Sequence, residues 1–191
     1  GDIKGIWELS RFSWAFTLAR AYAKSGDNAY AEAFWQLFED WQERNPPNLG
    51  ANWLCGQEAA FRLMAATFAQ DVMCGAQATT EGRLARFASL VVATGRRISG
   101  NLNYALSQSN NHGISEAVGL LTAALLAPAS AETASWERMG WGALKQQLDE
   151  LVYPDGAFAQ HSTIYHRVLL SDLLWMISLY GRVGREIPAF L

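Results

Sequence analysis

Apolar residues recur at steps of three and four along most of the chain, which is the period of an amphipathic α-helix. Over residues 7–24 this spacing is unbroken until Gly26, so the pattern predicts one long helix that ends at the glycine. Asp27 or Asn28 can then provide the N-cap of a second predicted helix, which continues to Arg44.

The same period predicts further helices at about 52–70, 80–99, 112–126, 132–151 and 162–180. Between them lie an Asn/Pro-rich break, a polar and irregular stretch at 100–111, and the turn sequence Tyr153-Pro154-Asp155-Gly156. No segment alternates apolar and polar residues as a strand would. Seven helices joined by short breaks indicate antiparallel helical hairpins, so we expect one all-α domain over residues 1–191.

Composition and charge narrow the class of protein. Half of the 191 residues are hydrophobic and 17% are charged, which suits a folded domain with a real core. The net charge of −3 argues against a nucleic-acid partner. The longest uncharged run is broken by Gly119 and Pro128, so no membrane span is expected. Cys55 and Cys74 lack a metal or redox spacing and are interpreted as buried free thiols.

The first segment with candidate chemistry covers residues 50–62. Glu58 and Arg62 are four residues apart on one helix face, and the simplest interpretation is a surface ion pair. Asn52 and Trp53 precede them at the mouth of the same helix, where a ligand could be met. The Trp53 ring could stack on a sugar, although core packing is the commoner role of a single tryptophan.

The second segment covers residues 109–116 and opens another predicted helix. Asn110 or Asn111 could cap this helix. A cation is disfavoured near a helix N-terminus, so His112 suits a neutral donor or acceptor there. Glu116 follows four residues later and could orient the His112 ring.

The third segment covers residues 155–167 and contains His161, Tyr165 and His166. Tyr165 and His161 are four residues apart, which predicts that they share a face of the early helix. His112, His161 and His166 are the side chains that could hold a metal, but no HExxH motif or carboxylate-rich set accompanies them, so no metal is expected. No nucleotide or other cofactor motif is present either.

Taken in order, these segments resemble the heparinase II/III family of polysaccharide lyases, which includes alginate lyases. The resemblance is carried by residues 11–27, 45–62, 111–121 and 155–167. It implies helical hairpins forming part of an incomplete (α/α) toroid, which in the family is followed by an antiparallel β-sandwich domain. We therefore expect a segment of a longer, periplasmic or secreted enzyme that lacks this C-terminal domain and has little activity alone.

The resemblance also implies a reaction. Such enzymes cleave a uronic-acid-containing acidic polysaccharide by β-elimination, with no cofactor. Asn111 or His112 would neutralise the uronate carboxylate, and Tyr165 would act as the acid and is one candidate for the base. The remaining candidates are expected to bind the substrate: Asn52, Trp53, Glu58, Arg62, His161, His166 and Arg167. Glycosaminoglycan, alginate and bacterial exopolysaccharide are all compatible with this chemistry.

Two alternatives remain open at this point. One is a helical domain that binds an acidic polysaccharide without cleaving it, for which Tyr165 would not be needed. The other is a glycoside hydrolase on an α/α toroid, which requires a pair of positioned carboxyl groups. Glu58, Glu116 and Asp155 are available for that role.

Overall fold

The computed structural model describes residues 2–191 and confirms the all-α fold. Across these residues the only β-structure is an isolated antiparallel bridge between Val152 and Phe158. The helices of the described residues are α1 (Lys4–Leu9), α2 (Ser13–Ser25), α3 (Asn28–Arg44), α4 (Gly56–Val72), α5 (Glu81–Ser99), α6 (Leu102–Ser107), α7 (Asn111–Leu126), α8 (Ala131–Leu151) and α9 (Thr163–Arg182), with a short 3₁₀ turn at Ala51–Trp53.

The helix predicted over residues 7–24 is two helices in the structure. Phe12 lies between α1 and α2 with φ of 59°, in the left-handed region that a phenylalanine rarely adopts. Its ring is fully buried and makes edge contacts with Phe38 and Trp41. Burying this ring offsets the strained backbone, and the chain changes direction there although the apolar period continues.

The stretch predicted to be irregular at 100–111 contains the short helix α6. Leu102 and Ala105 are both buried, and they anchor this single turn and a half of helix. A helix of this length has too few residues to show a period, which is why the polar composition dominated the prediction.

The chain divides into two compact units, one ending at Thr94 and the other beginning at Gly95. In the first unit α2 packs against α3 and α4. An aromatic cluster fills the space between them, made by Phe12, Trp14, Phe34, Trp35 and Phe38. Helix α4 is buried along most of its length, so the polar residues at its start are enclosed as well.

In the second unit α7 is the central helix and packs against α6, α8 and α9. Gly113 of α7 faces Gln147 of α8, and Leu121 faces Gly140, so α7 and α8 form an antiparallel hairpin as predicted. Helices α7 and α9 run parallel, because Ser115 bonds Asp172 while Thr122, further along α7, bonds Trp175. The N-termini of α7 and α9 therefore lie at the same end of this unit.

None of the helices in residues 2–191 combines the length and the apolar character needed to cross a lipid bilayer.

The close approach of α7 and α8 gives a first prediction. A Cβ atom added at Gly140 would lie 2.6 Å from Leu121 Cγ, whereas one added at Gly142 would have no neighbour within 4 Å. We expect Gly140→Ala to destabilise the protein by about 1–3 kcal/mol, since the two helices must separate. Gly142→Ala is the matched control on the same helix and should stabilise it by up to about 1 kcal/mol. Chemical denaturation measures both, and equal stabilities would contradict the packing described.

Candidate functional site

Glu58 of α4 is held by Arg11, which lies 47 positions earlier in the chain. Arg11 donates from Nε to Oε2 at 2.7 Å and from Nη2 to Oε1 at 2.6 Å. Glu58 is 2% exposed, and its hydrogen bonds raise the pKa of the Arg11 guanidinium. The interpretation of Glu58 and Arg62 as a surface ion pair is wrong, because both side chains are buried and Glu58 pairs with Arg11 instead.

Arg62 is a buried cation that ties two loops together. It is 1% exposed and donates to the backbone carbonyls of Ser10 at 3.0 Å and Asn52 at 2.7 Å. The guanidinium also lies over the rings of Trp41 and Trp53, at 4.3 and 5.5 Å from their centroids. Burial lowers the pKa of Arg62 to about 10, with the charge of Glu58 opposing the shift, so the side chain stays charged at neutral pH.

Asn52 and Trp53 belong to the same enclosed arrangement. The side-chain amide of Asn52 donates to Asn45 Oδ1 at 2.7 Å, and its own oxygen Oδ1 has no hydrogen-bond partner among the described residues. The Trp53 ring is 2% exposed, and its indole nitrogen donates to the Asn45 carbonyl at 3.0 Å. Trp53 also lines a cavity of about 240 Å³ beside Trp41, Pro47 and Arg86.

Removing the buried guanidinium should destabilise the first unit. We expect Arg62→Ala to cost about 3–5 kcal/mol, because it leaves two buried carbonyls without donors and removes charge near Glu58. Arg44→Ala is the matched control, since Arg44 makes an exposed i,i+4 pair with Asp40 and should contribute less than about 1 kcal/mol. Denaturant titration measures the free energy of unfolding of both variants. Similar losses of stability in the two would refute the role given to Arg62.

At the start of α7, Asn110 is the N-cap and leaves Asn111 available. The Asn110 Oδ1 accepts from the backbone N–H of His112 at 2.9 Å. The backbone N–H of Asn111 donates to Gln160 Oε1 at 2.9 Å, which brings the segment before α9 onto the end of α7. Asn111 is 5% exposed, and within residues 2–191 its side-chain amide has no recorded hydrogen bond. His112 is half-buried and Glu116 is buried.

At the start of α9, Ser162 is the N-cap and bonds the Tyr165 backbone N–H at 3.4 Å. Tyr165 is 41% exposed, His166 is half-buried and Arg167 is exposed. His161 lies before the cap with φ of 49°, its ring 6.2 Å from that of Tyr153. The prediction that His161 and Tyr165 share a helix face is therefore wrong, because the helix begins only after His161.

A buried carboxyl group near these residues was missed by the sequence reasoning. Asp172 of α9 is 2% exposed and accepts a hydrogen bond from Ser115 Oγ at 2.6 Å. Burial raises the pKa of Asp172 to about 7, and the bond from Ser115 opposes part of that shift. The signal available in the sequence was a single charged residue inside the otherwise uncharged and mostly apolar run 168–176.

The raised pKa of Asp172 predicts how stability depends on pH. Folding moves this pKa from 3.8 to about 7, so between those values the folded protein holds a proton that the unfolded chain has released. Stability from this group is therefore lost as the pH rises toward 7, by up to a few kcal/mol. We expect Asp172→Asn to lessen the fall in unfolding free energy between about pH 5 and about pH 8. The control Asp40→Asn, at an exposed carboxylate, should keep the wild-type fall, and an unchanged fall in Asp172→Asn would contradict the assignment.

Comparison with known proteins assigns the chain to a family. Residues 3–189 match the family model described as heparinase II/III N-terminus. The chain belongs to this family.

Individual proteins similar to this chain are consistent with the family assignment. The chain is 25% identical to a heparin-sulfate lyase of Pedobacter heparinus, over 94% of its own length and 27% of that protein. It is 24% identical to a heparin-sulfate lyase of Bacteroides thetaiotaomicron, over 86% of its length and 24% of that protein. The fold matches the crystal structure of heparan sulfate lyase HepC from Pedobacter heparinus with a TM-score of 0.76 at 24% identity, covering 96% of this chain and 29% of that one. The chain thus spans about a quarter of the length of the curated relatives that it matches.

Proposed function

We propose that this chain supplies catalytic residues of a polysaccharide lyase that cleaves a uronic-acid-containing acidic polysaccharide by β-elimination. The observation that supports the proposal most directly is the placement of Asn111 and Tyr165. The two residues begin parallel helices at the same end of the second unit, one with an uncommitted amide and the other with an exposed phenol. Membership of the heparinase II/III family supports a lyase reaction for these two residues.

Asn111 is suited to neutralising the uronate carboxylate. Its side-chain N–H can donate to an anion, and the N-terminus of the 16-residue helix α7 carries the positive end of the helix dipole. Donors fixed in place before the substrate arrives stabilise developing negative charge at little reorganisation cost. His112, next in sequence, is the second candidate for the same carboxylate.

Tyr165 is proposed to move the protons. Neutralising the carboxylate makes the C5 proton of the uronate acidic, and a base removes it. The electron pair left on C5 forms the C4–C5 double bond while the C4–O4 bond breaks, and an acid protonates the departing O4. Arg167, His161 and His166 lie close to Tyr165 in the sequence, and we propose that they contact the bound polysaccharide.

The residues of the first unit are proposed to act on the substrate indirectly. Glu58 and Arg62 are engaged by Arg11 and by two backbone carbonyls, and Asn52 and Trp53 are enclosed beside them. We infer that these four residues fix the conformation of the loop over 45–53. Both carboxylate oxygens of Glu58 accept from Arg11, which disfavours Glu58 as the acid of a glycoside hydrolase, since neither oxygen is left to face a glycosidic bond.

The names of the relatives suggest the first substrate to test, heparan sulfate or heparin, both rich in uronic acid. A polymer of this size is met outside the cytoplasm, so a periplasmic or secreted location forms part of the proposal.

The test uses the full-length gene product with heparan sulfate, heparin, chondroitin sulfate and alginate, following the ultraviolet absorbance of the unsaturated uronate. We expect product from the wild type on at least one polymer, and a loss of about 100-fold or more in kcat for Tyr165→Phe. Tyr30→Phe is the matched control, because Tyr30 is 37% exposed on α3 and should keep wild-type turnover.

Two other results of this assay would contradict the proposal. Product formation by Tyr165→Phe at the wild-type rate would contradict the role of Tyr165. Silence of the wild type on every polymer, with tight binding to one of them, would favour the non-catalytic binding domain.

A further inference from the structure

Three side-chain hydrogen bonds join α7 to α9 and to the segment before it. Gln160 accepts from the Asn111 backbone N–H at 2.9 Å, Ser115 donates to Asp172 at 2.6 Å, and Trp175 donates to Thr122 at 2.9 Å. They follow one another from the N-terminal end of α7 toward its C-terminal end. The first holds the loop, and the second and third hold the helices themselves.

The bond between Ser115 and Asp172 is the one that needs an explanation. Ser115 is fully buried and Asp172 is 2% exposed, and no ion pair with Asp172 is recorded among residues 2–191. A buried carboxyl group that lacks a cation costs stability, and an apolar side chain of similar size would commonly pack better. Unlike an apolar contact, however, this bond is directional and fixes one helix relative to the other.

The position of the bond relates it to the proposed catalytic residues. Asn111 lies four residues before Ser115, which is about 6 Å along α7. Tyr165 lies seven residues before Asp172, which is about 10 Å along α9 and close to two full turns, so both project from the same side of that helix. Since the helices are parallel and this is the bond between them that lies nearer to their N-termini, it constrains the height and the rotation of Tyr165 relative to Asn111 most directly.

We propose that Asp172 is a positioning residue which, through Ser115, holds Tyr165 in register with Asn111. This inference rests on the proposed lyase function. The apolar contacts between α7 and α9 tolerate small sliding movements, while a hydrogen bond between two enclosed groups does not. A displacement near 1 Å at a reacting group can cost about 100-fold in rate, so a fixed register between the two helices has a direct catalytic value.

If Asp172 had a purely structural role, its loss would lower stability without a specific effect on turnover. Measuring kcat, KM and stability in the same variants separates a structural role from a positioning role. The experiment compares Asp172→Asn, Asp172→Leu and Ser115→Ala in the full-length gene product. Asp172→Asn keeps an acceptor for Ser115 and should retain kcat within about threefold. Asp172→Leu and Ser115→Ala break the bond, and each should lower kcat at least about tenfold with KM changed less than about threefold.

Thr122→Val is the matched control. Thr122 is also fully buried and takes part in a hydrogen bond between the same two helices, but it lies seven residues further along α7 than Ser115. Its loss should lower stability while leaving kcat near the wild-type value. An equal fall in kcat for Thr122→Val, or an unchanged kcat for both Asp172→Leu and Ser115→Ala, would overturn the inference.

Fluorine NMR of Tyr165 tests the positioning role of Asp172 without measuring turnover. Fluorotyrosine is incorporated, and the fluorine resonance that disappears in Tyr165→Phe is assigned to Tyr165. We expect this resonance to be the same in wild type and Asp172→Asn, and to shift or split in Asp172→Leu and Ser115→Ala. If the wild type cleaves no polymer, the proposed function fails while the resonance still decides the positioning role, and a resonance unchanged in all variants would refute it.

Discussion

The burial of polar groups at the beginning of two helices is the constraint on which the rest of the structure depends. Helices α4 and α7 are enclosed almost throughout, yet each starts with polar residues that must find partners inside the protein. At α4 the partners are Arg11 for Glu58 and two loop carbonyls for Arg62. At α7 they are Gln160 for the backbone of Asn111 and Asp172 for Ser115. Satisfying these groups fixes the loops and the neighbouring helices in place.

The apolar period was sufficient to predict the long helices but not their interruptions. The six predicted helices after Gly26 correspond to α3, α4, α5, α7, α8 and α9, because each is long enough to show a face. The break at Phe12 could not be predicted, since its positive φ depends on a ring packing against residues on another helix. Polar segments at the helix starts identified Asn111 and Tyr165 as candidates. Their partners escaped prediction, because Gln160 and Asp172 lie 49 and 57 positions from the groups they bind, and neither pairing leaves a local pattern.

Membership of the heparinase II/III family and the geometry of the second unit support one another. The elimination proposed above needs a group to neutralise a carboxylate and a group to transfer protons. The unit offers an amide at a helix N-terminus and a phenol at the start of a parallel helix, with buried hydrogen bonds setting their relative height. In the first unit, Arg62 instead holds the loop over 45–53 through its cation–π contact with Trp53 and its hydrogen bond to the Asn52 carbonyl. The proposed catalytic residues thus lie in the second unit, and the residues that hold the loop over 45–53 lie in the first.

The central claim is that the glycosidic bond is broken by elimination, and isotope incorporation tests it most directly. The full-length gene product is incubated with heparan sulfate in water enriched in heavy oxygen, and the products are analysed by mass spectrometry. Elimination draws no oxygen from water, so we predict products that form without the heavy isotope, and an unsaturated fragment that is lighter by one water than the corresponding hydrolysis fragment. One heavy oxygen atom incorporated at the new reducing end for each bond cleaved, as soon as product forms, would show hydrolysis and contradict the account.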